Sequence, residues 1–199
     1  MIDRPNAPAR RIFITGGTGY IGSRLIPLLV ERGYDVSALV RKGSESKLPM
    51  GATPVVGDAL RMDSYTDQVR GADTFVHLIG VAHPSPSKAA EFRAIDLVSI
   101  QVALRAAAEA GIKIIMVEKP IAYEARDWKA LVALAAKSKT KFGVDAQFRY
   151  HPDLTRCREA LQSGKLGKLR FLDCSAVGTI CDQGVHVIDW AMSLNAVTI

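Results

Sequence analysis

Near the front of the chain, Ile12-Phe-Ile-Thr-Gly-Gly-Thr-Gly-Tyr-Ile-Gly22 carries glycines at a spacing suited to holding an anion. An apolar run over residues 11–15 precedes it and an amphipathic run over 23–32 follows, which predicts a strand, a tight turn and a helix. Unpaired N–H groups at such a helix N-terminus favour phosphate. Gly16 can make the turn, Gly19 lets a pyrophosphate approach the backbone, and Gly22 lets helix and strand pack closely. The stretch Gly16, Gly17, Thr18, Gly19, Tyr20, Ile21 and Gly22 is therefore the expected contact with a dinucleotide.

Further groups fall where a nucleotide fold brings its strand ends. Residues 35–40 read as the second strand, followed by Arg41-Lys42-Gly43-Ser44. That position faces the adenosine ribose, where an acid would accept from the hydroxyls of NAD and a guanidinium suits the 2′-phosphate of NADP. Arg41 and Lys42 point to NADP, with NAD as the alternative, unless they form only a solvated loop. Asp58, after a strand at 53–56, either accepts from the adenine amine or caps a helix starting near Met62. Gly80 closes a fourth strand, 73–79, beside the cofactor, and His77 within that strand reads as a packed residue.

A secondary alcohol gives up a hydride only if something takes its hydroxyl proton, and imidazole has a suitable pKa. Asp182 and His186 stand four apart on a predicted last helix, so the carboxylate could orient the ring. Lys119, ending a strand over 112–117, could polarise the substrate oxygen. Each has a structural alternative: Asp182 as an N-cap, His186 as a buried structural histidine, Lys119 as a solvated lysine held by Pro120. Cys157, Cys174 and Cys181 form no C-x-x-C pair, so neither a disulfide framework nor a metal site is expected.

With 199 residues, 48% of them hydrophobic, the chain can bury one sizeable core and a small second one. Lys and Arg outnumber Asp and Glu by 26 to 20, but the charges are interspersed, which argues against a nucleic-acid partner. No apolar run approaches membrane-spanning length, and the first ten residues do not read as a signal peptide. A soluble, cytoplasmic protein with a small-molecule substrate is expected, with no membrane partner.

From residue 11 to about 113 the chain resembles an atypical or extended short-chain dehydrogenase/reductase. The matching residues are Thr15-Gly-Gly-Thr-Gly-Tyr-Ile-Gly22, Leu39-Val-Arg41, Gly57-Asp58 and His77-Leu-Ile-Gly80, with Asp96 near a position where many members carry Asn. The resemblance implies NADP and, ordinarily, a Tyr-x-x-x-Lys pair that protonates the substrate oxygen. Four residues after Tyr20, Tyr34, Tyr65, Tyr123 and Tyr150 stand Arg24, Ala38, Val69, Asp127 and Leu154, and none is lysine.

From about 114 to 194 the chain resembles the glucose–fructose oxidoreductase/inositol dehydrogenase (Gfo/Idh/MocA) family. Here the matching residues are Glu118-Lys-Pro120, Arg149-Tyr-His-Pro152, Gly164-Lys-Leu-Gly167 and Asp182-Gln-Gly-Val-His186. This resemblance implies that Glu118, Lys119 and Pro120 lie at the cofactor, with Lys119 by the nicotinamide, and that Asp182 and His186 supply the acid/base group.

Together these readings imply an α/β fold: a doubly wound parallel Rossmann sheet of order 3-2-1-4-5-6 with a truncated α+β C-terminal appendage. The expected division is a cofactor domain over 9–148 and a substrate-side segment over 149–199, the latter with a strand at 169–177. Leu169, Phe171, Val187, Ile188 and Trp190 would be exposed unless covered, so a homodimer or a sticky monomer is expected. The implied function is hydride transfer between NADP and a hydroxyl or carbonyl compound such as a polyol or sugar. The alternative is a catalytically silent NADP-binding sensor or assembly module.

Overall fold

Alternating side chains divide the sheet residues between two apolar cores. The computed structural model describes residues 9–81, 86–178 and 183–195. In β1 (Arg11–Thr15) and β2 (Asp35–Val40), Phe13 and Leu39 join one core while Ile12, Ile14, Val36 and Ala38 join the other. Strands apolar on both faces must be covered on both, which makes the doubly wound arrangement. The remaining strands are β3 (Ala52–Val56), β4 (Thr74–His77), β5 (Ile114–Glu118) and β6 (Lys141–Asp145). Their order is β3-β2-β1-β4-β5-β6, as the sequence implied. The pairs β1–β2, β1–β4, β2–β3 and β4–β5 are parallel.

Helix α1 (Gly22–Glu31) lays Ile26, Leu29 and Val30 on the smaller core. The larger core sits under the short helix α2 (Thr66–Val69) and the later helices of the sheet. Its centre is Phe13, stacked on Tyr65 at 5.8 Å and edge-on to Phe75 at 5.3 Å. Truncating Phe75 would cost about 3–5 kcal/mol, the range for a buried aromatic.

After β4 the chain forms a helical run in three pieces: α3 (Ala89–Phe92), a π turn (Arg93–Leu97) and α4 (Val98–Glu109). Widened turns of this kind redirect a side chain, and this one carries the buried Asp96. In α4 the small Ala103, Ala106 and Ala107 are fully buried, so the helix can lie close on the sheet. Helix α5 (Ala125–Ala136) adds Leu131. One strand is shorter than expected, β4, which stops at His77; β6 ends at Asp145, after which Gln147–Tyr150 is a 3-10 turn.

The chain divides into two compact units, Met1–Ala82 with Ala90–Val144, and His83–Ala89 with Asp145–Ile199. In the second unit, α6 (Pro152–Gln162) starts with proline in its first turn, and the His151 ring accepts from the Asp153 N–H at 3.4 Å. Arg149 grips Asp189 of α7 (Val185–Asn195) through Nε at 2.9 and 2.7 Å. The expected strand at 169–177 is absent: among the described residues this stretch pairs with no strand, and Phe171 is 81% and Val177 96% exposed. A lone strand without a partner does not persist. No described helix is long and apolar enough to cross a membrane.

Candidate cofactor site

The crevice beyond the carboxyl ends of β1 and β4 is the topological switch point of the sheet, where nucleotides bind in open α/β folds. Thr15 ends β1 and the glycine turn begins there. Gly16 has φ +78°, and a Cβ on it would stand 2.7 Å from the Leu78 carbonyl oxygen. A Cβ on Gly17 would meet Ala38, Ile26 and Leu48 at 3.0–3.1 Å. One on Gly22 would come 2.6 Å from the Gly17 Cα and overlap the Gly16 carbonyl. Helix α1 can therefore start only against bare backbone. Gly19, by contrast, meets only the Gly16 carbonyl oxygen, at 3.2 Å.

The turn closes with Gly19 N–H donating to Gly16 C=O at 3.0 Å and Ser23 N–H to Gly19 C=O at 2.9 Å. Among the described residues, the N–H groups of Thr18, Tyr20 and Ile21 have no hydrogen-bond partner. Arg24, one turn into α1, donates to the Tyr20 carbonyl at 2.9 Å and lies 3.7 Å over the Tyr20 ring. The turn is thus a rigid, cationic rim with open donors, which suits a pyrophosphate.

Beneath it lies a polar network whose partners the sequence did not reveal. His77 is buried, with Nδ1 2.8 Å from Thr15 Oγ and Nε2 3.2 Å from Ser99 Oγ. Ser99 donates its proton to the Asp96 carbonyl at 3.0 Å. That assigns the imidazole proton to Nε2, which donates to Ser99, while Nδ1 accepts from Thr15. Burial without an acid pushes the His77 pKa down to about 3, so the ring is neutral. Its reading as a packed strand residue holds. The Asp96 side chain accepts from the Val81 N–H, at 3.0 Å to Oδ1 and 3.1 Å to Oδ2.

Arg41 and Lys42 are exposed at the end of β2, and Gly43 turns the chain at φ +82°. Asp58 Oδ1 accepts from the Leu60 N–H at 2.9 Å, a local turn, and the side chain caps no helix at Met62. Ser64 braces that turn, its Oγ accepting from the Asp58 N–H at 2.9 Å. Gly80 lies beside Asp96, whose Oδ1 would be 3.2 Å from a Cβ there. Glu118, Lys119 and Pro120 are half-buried at the carboxyl end of β5. Lys119 belongs to the first unit and His186 to the second. His186, second residue of α7, is 2% exposed and stacks on Phe148 at 4.5 Å. Asp182 lies outside the described residues.

A glycine turn that only backbone fits, at the switch point of a parallel sheet, defines a dinucleotide-binding Rossmann domain. Residues 16–147 match the family model described as NAD(P)H-binding. The chain belongs to this NAD(P)H-binding family, and its cofactor is NAD(P). The match runs through Glu118-Lys119-Pro120 and beyond.

Over 105 residues the chain is 31% identical to 4-hydroxy-2-methyl-3-oxo-4-farnesyl-3,4-dihydroquinoline-1-oxide ketoreductase of Stigmatella aurantiaca, covering 52% of this chain and 31% of that protein. Over 70 residues it is 36% identical to a decarboxylating sterol-4-alpha-carboxylate 3-dehydrogenase of Dictyostelium discoideum, covering 34% and 21%. The aligned part thus amounts to a third or less of either relative. The UDP-glucose 4-epimerase of Thermotoga maritima, solved with UDP-glucose, superposes with a TM-score of 0.54 at 15% identity, covering 77% of this chain and 63% of that one. That likeness shows the fold alone.

Proposed function

We propose that the chain is an NADP-preferring oxidoreductase, exchanging a hydride with a hydroxyl or carbonyl compound of the polyol or sugar kind. The observation that carries the cofactor half of this reading is Arg41, exposed at the end of β2 on the ribose side of the glycine turn. The two curated relatives are named as a ketoreductase and a dehydrogenase, which supports the reaction class. When bound, the nicotinamide supplies or accepts the hydride. In this proposal Lys119 polarises the substrate oxygen, His186 takes or returns the hydroxyl proton, and Asp182 orients the imidazole. Glu118 and Pro120 set the backbone at Lys119, and Lys42 and Asp58 assist at the ribose and adenine. Residues 9–148 then serve the cofactor and 149–199 the substrate. The likeness of the latter part to the glucose–fructose oxidoreductase group is the support for the sugar or polyol.

A second reading, a catalytically silent NADP-binding module, draws on two observations. No tyrosine is followed by lysine four residues on, and His186 is packed against Phe148 as a structural histidine would be. Titration of NADP and NAD, with Arg41→Ala as control, tests the cofactor preference. One charge-assisted contact contributes about 1.5–3 kcal/mol, so about a ten- to hundredfold preference should disappear in the variant. Turnover on a panel of polyols and sugars then separates enzyme from module. The exposed Phe171 and Ile188 support self-association through the second unit, and a clean monomer in sedimentation would count against it.

A further inference from the structure

Asp96 is a carboxylate that no step above uses. It is 5% exposed, in the π turn Arg93–Leu97, and among the described residues no cation pairs with it. Both oxygens lie within hydrogen-bond distance of one N–H, that of Val81, at 3.0 and 3.1 Å. Gly80, exposed and lacking a side chain, lies beside Asp96: a Cβ there would stand 3.2 Å from Oδ1. Burial raises the Asp96 pKa against the lowering effect of the Val81 N–H. A buried carboxylate held only by backbone N–H groups, those of Val81 and of Asp96 itself, with no cation, gains from a positive charge brought near it.

Gly80 and Val81 follow β4, the first strand of the second half of the sheet. In a doubly wound nucleotide fold the first half holds the adenosine and the second half the nicotinamide nucleotide. The oxidised nicotinamide ring carries a positive charge and the reduced ring carries none. We propose that the Asp96 carboxylate, beside Gly80 at the carboxyl end of β4, favours the oxidised nicotinamide cofactor over the reduced one. It acts as a specificity-determining charge for the redox state of the ligand. This rests on the assignment of NAD(P) as cofactor and adds to it a preference between the two forms.

The two states differ by one full charge at the ring, whereas every other part of the dinucleotide is the same in both. One unit of charge at the ring, screened as at a partly solvated site, changes the ratio of the two affinities by about tenfold. The geometry of the Val81 contact need not change if Asn replaces Asp, because the amide oxygen can accept the same N–H.

The experiment measures the dissociation constants of NADP+, NADPH and 2′-phospho-ADP-ribose, which lacks the nicotinamide, for the parent protein and for Asp96→Asn. The expected result is about a tenfold shift in the NADP+/NADPH affinity ratio toward the reduced form, with 2′-phospho-ADP-ribose bound as before. Asp96→Ser, which also removes the charge, provides the same comparison should the Asn variant not fold. An unchanged ratio, with all three ligands still bound, overturns the role of Asp96 and leaves the cofactor assignment standing. Equal losses for all three ligands overturn it too, because they mark a general loss of structure. A parent protein that binds none of the three overturns the cofactor assignment itself, and this inference with it.

Discussion

The glycine turn and the α6–α7 unit differ in how much of each is fixed by close packing. Around the turn, a single added carbon at Gly16, Gly17 or Gly22 meets atoms from β2, α1, the chain after β4 or the turn itself. In the second unit the side chains of Cys157, Leu166, Phe171 and Val177 are exposed, and Arg149–Asp189 and Phe148–His186 tie its elements together. One region is held by backbone shape with no slack, the other by a few side-chain pairs. A substitution should therefore act on the turn through shape and on the second unit through the loss of one named contact.

The largest expected effect is at the turn. Gly22→Ala should reduce NADP affinity by more than about a hundredfold and destabilise the chain by about 1–3 kcal/mol, the usual range for overpacking. Isothermal titration and a urea melt check both numbers. A variant with parent-like affinity would mean the turn has more slack than its contacts indicate.

Next comes the chemistry. Lys119→Ala and His186→Ala should each lower turnover by about a hundredfold while NADP binds unchanged. Steady-state kinetics beside a binding titration sharpen the comparison, because only the first-unit residue can be separated from packing cleanly. If His186→Ala instead mainly lowers the melting temperature, its stacking on Phe148 is its role and the module reading gains.

A smaller, pH-dependent effect should come from His77. Its pKa is about 3 in the fold against about 6.5 for a free imidazole. Above about pH 6.5 neither state binds the proton, and His77 costs nothing. Below it the unfolded chain takes a proton that the fold refuses, so stability falls by up to about 1.4 kcal/mol per pH unit toward pH 3. Urea melts from pH 7 to 4 on the parent and on His77→Asn should show a shallower slope in the variant.

The smallest effect belongs to Arg149. The hydrogen bond it donates to Asp189 holds its guanidinium further into the charged state, but the arginine side chain is 45% exposed. Arg149→Met should cost no more than about 1 kcal/mol, consistent with a partly solvated pair. A melt showing several kcal/mol would mean the second unit is held more tightly than its exposed surface implies.

Much of the first unit was legible because its signals are periodic or stereochemical. Residues 35–40, read as the second strand, are β2 with the same bounds. Glycine spacing announced the turn because positive φ and close approach admit no other residue. What stayed hidden depends on tertiary neighbours. Nothing in Thr15 or Ser99 alone says that they flank His77, and a π turn leaves no mark in a helical repeat. The strand expected at 169–177 did not form, because a strand is a pairing and the partner is not a local property.

The hydrogen-bonded row of Thr15, His77 and Ser99 has a consequence for how this protein can change. Among the described residues, Thr15 is the side-chain partner of His77 Nδ1 and Ser99 that of Nε2, deep under the crevice. Replacing one by an apolar residue strands the others, at about 1–3 kcal/mol for each orphaned group. Replacing all three with hydrocarbon of matched volume could restore much of that. The path from one core to the other thus descends before it climbs, and the three positions are expected to be exchanged as a set, with strongly non-additive intermediates.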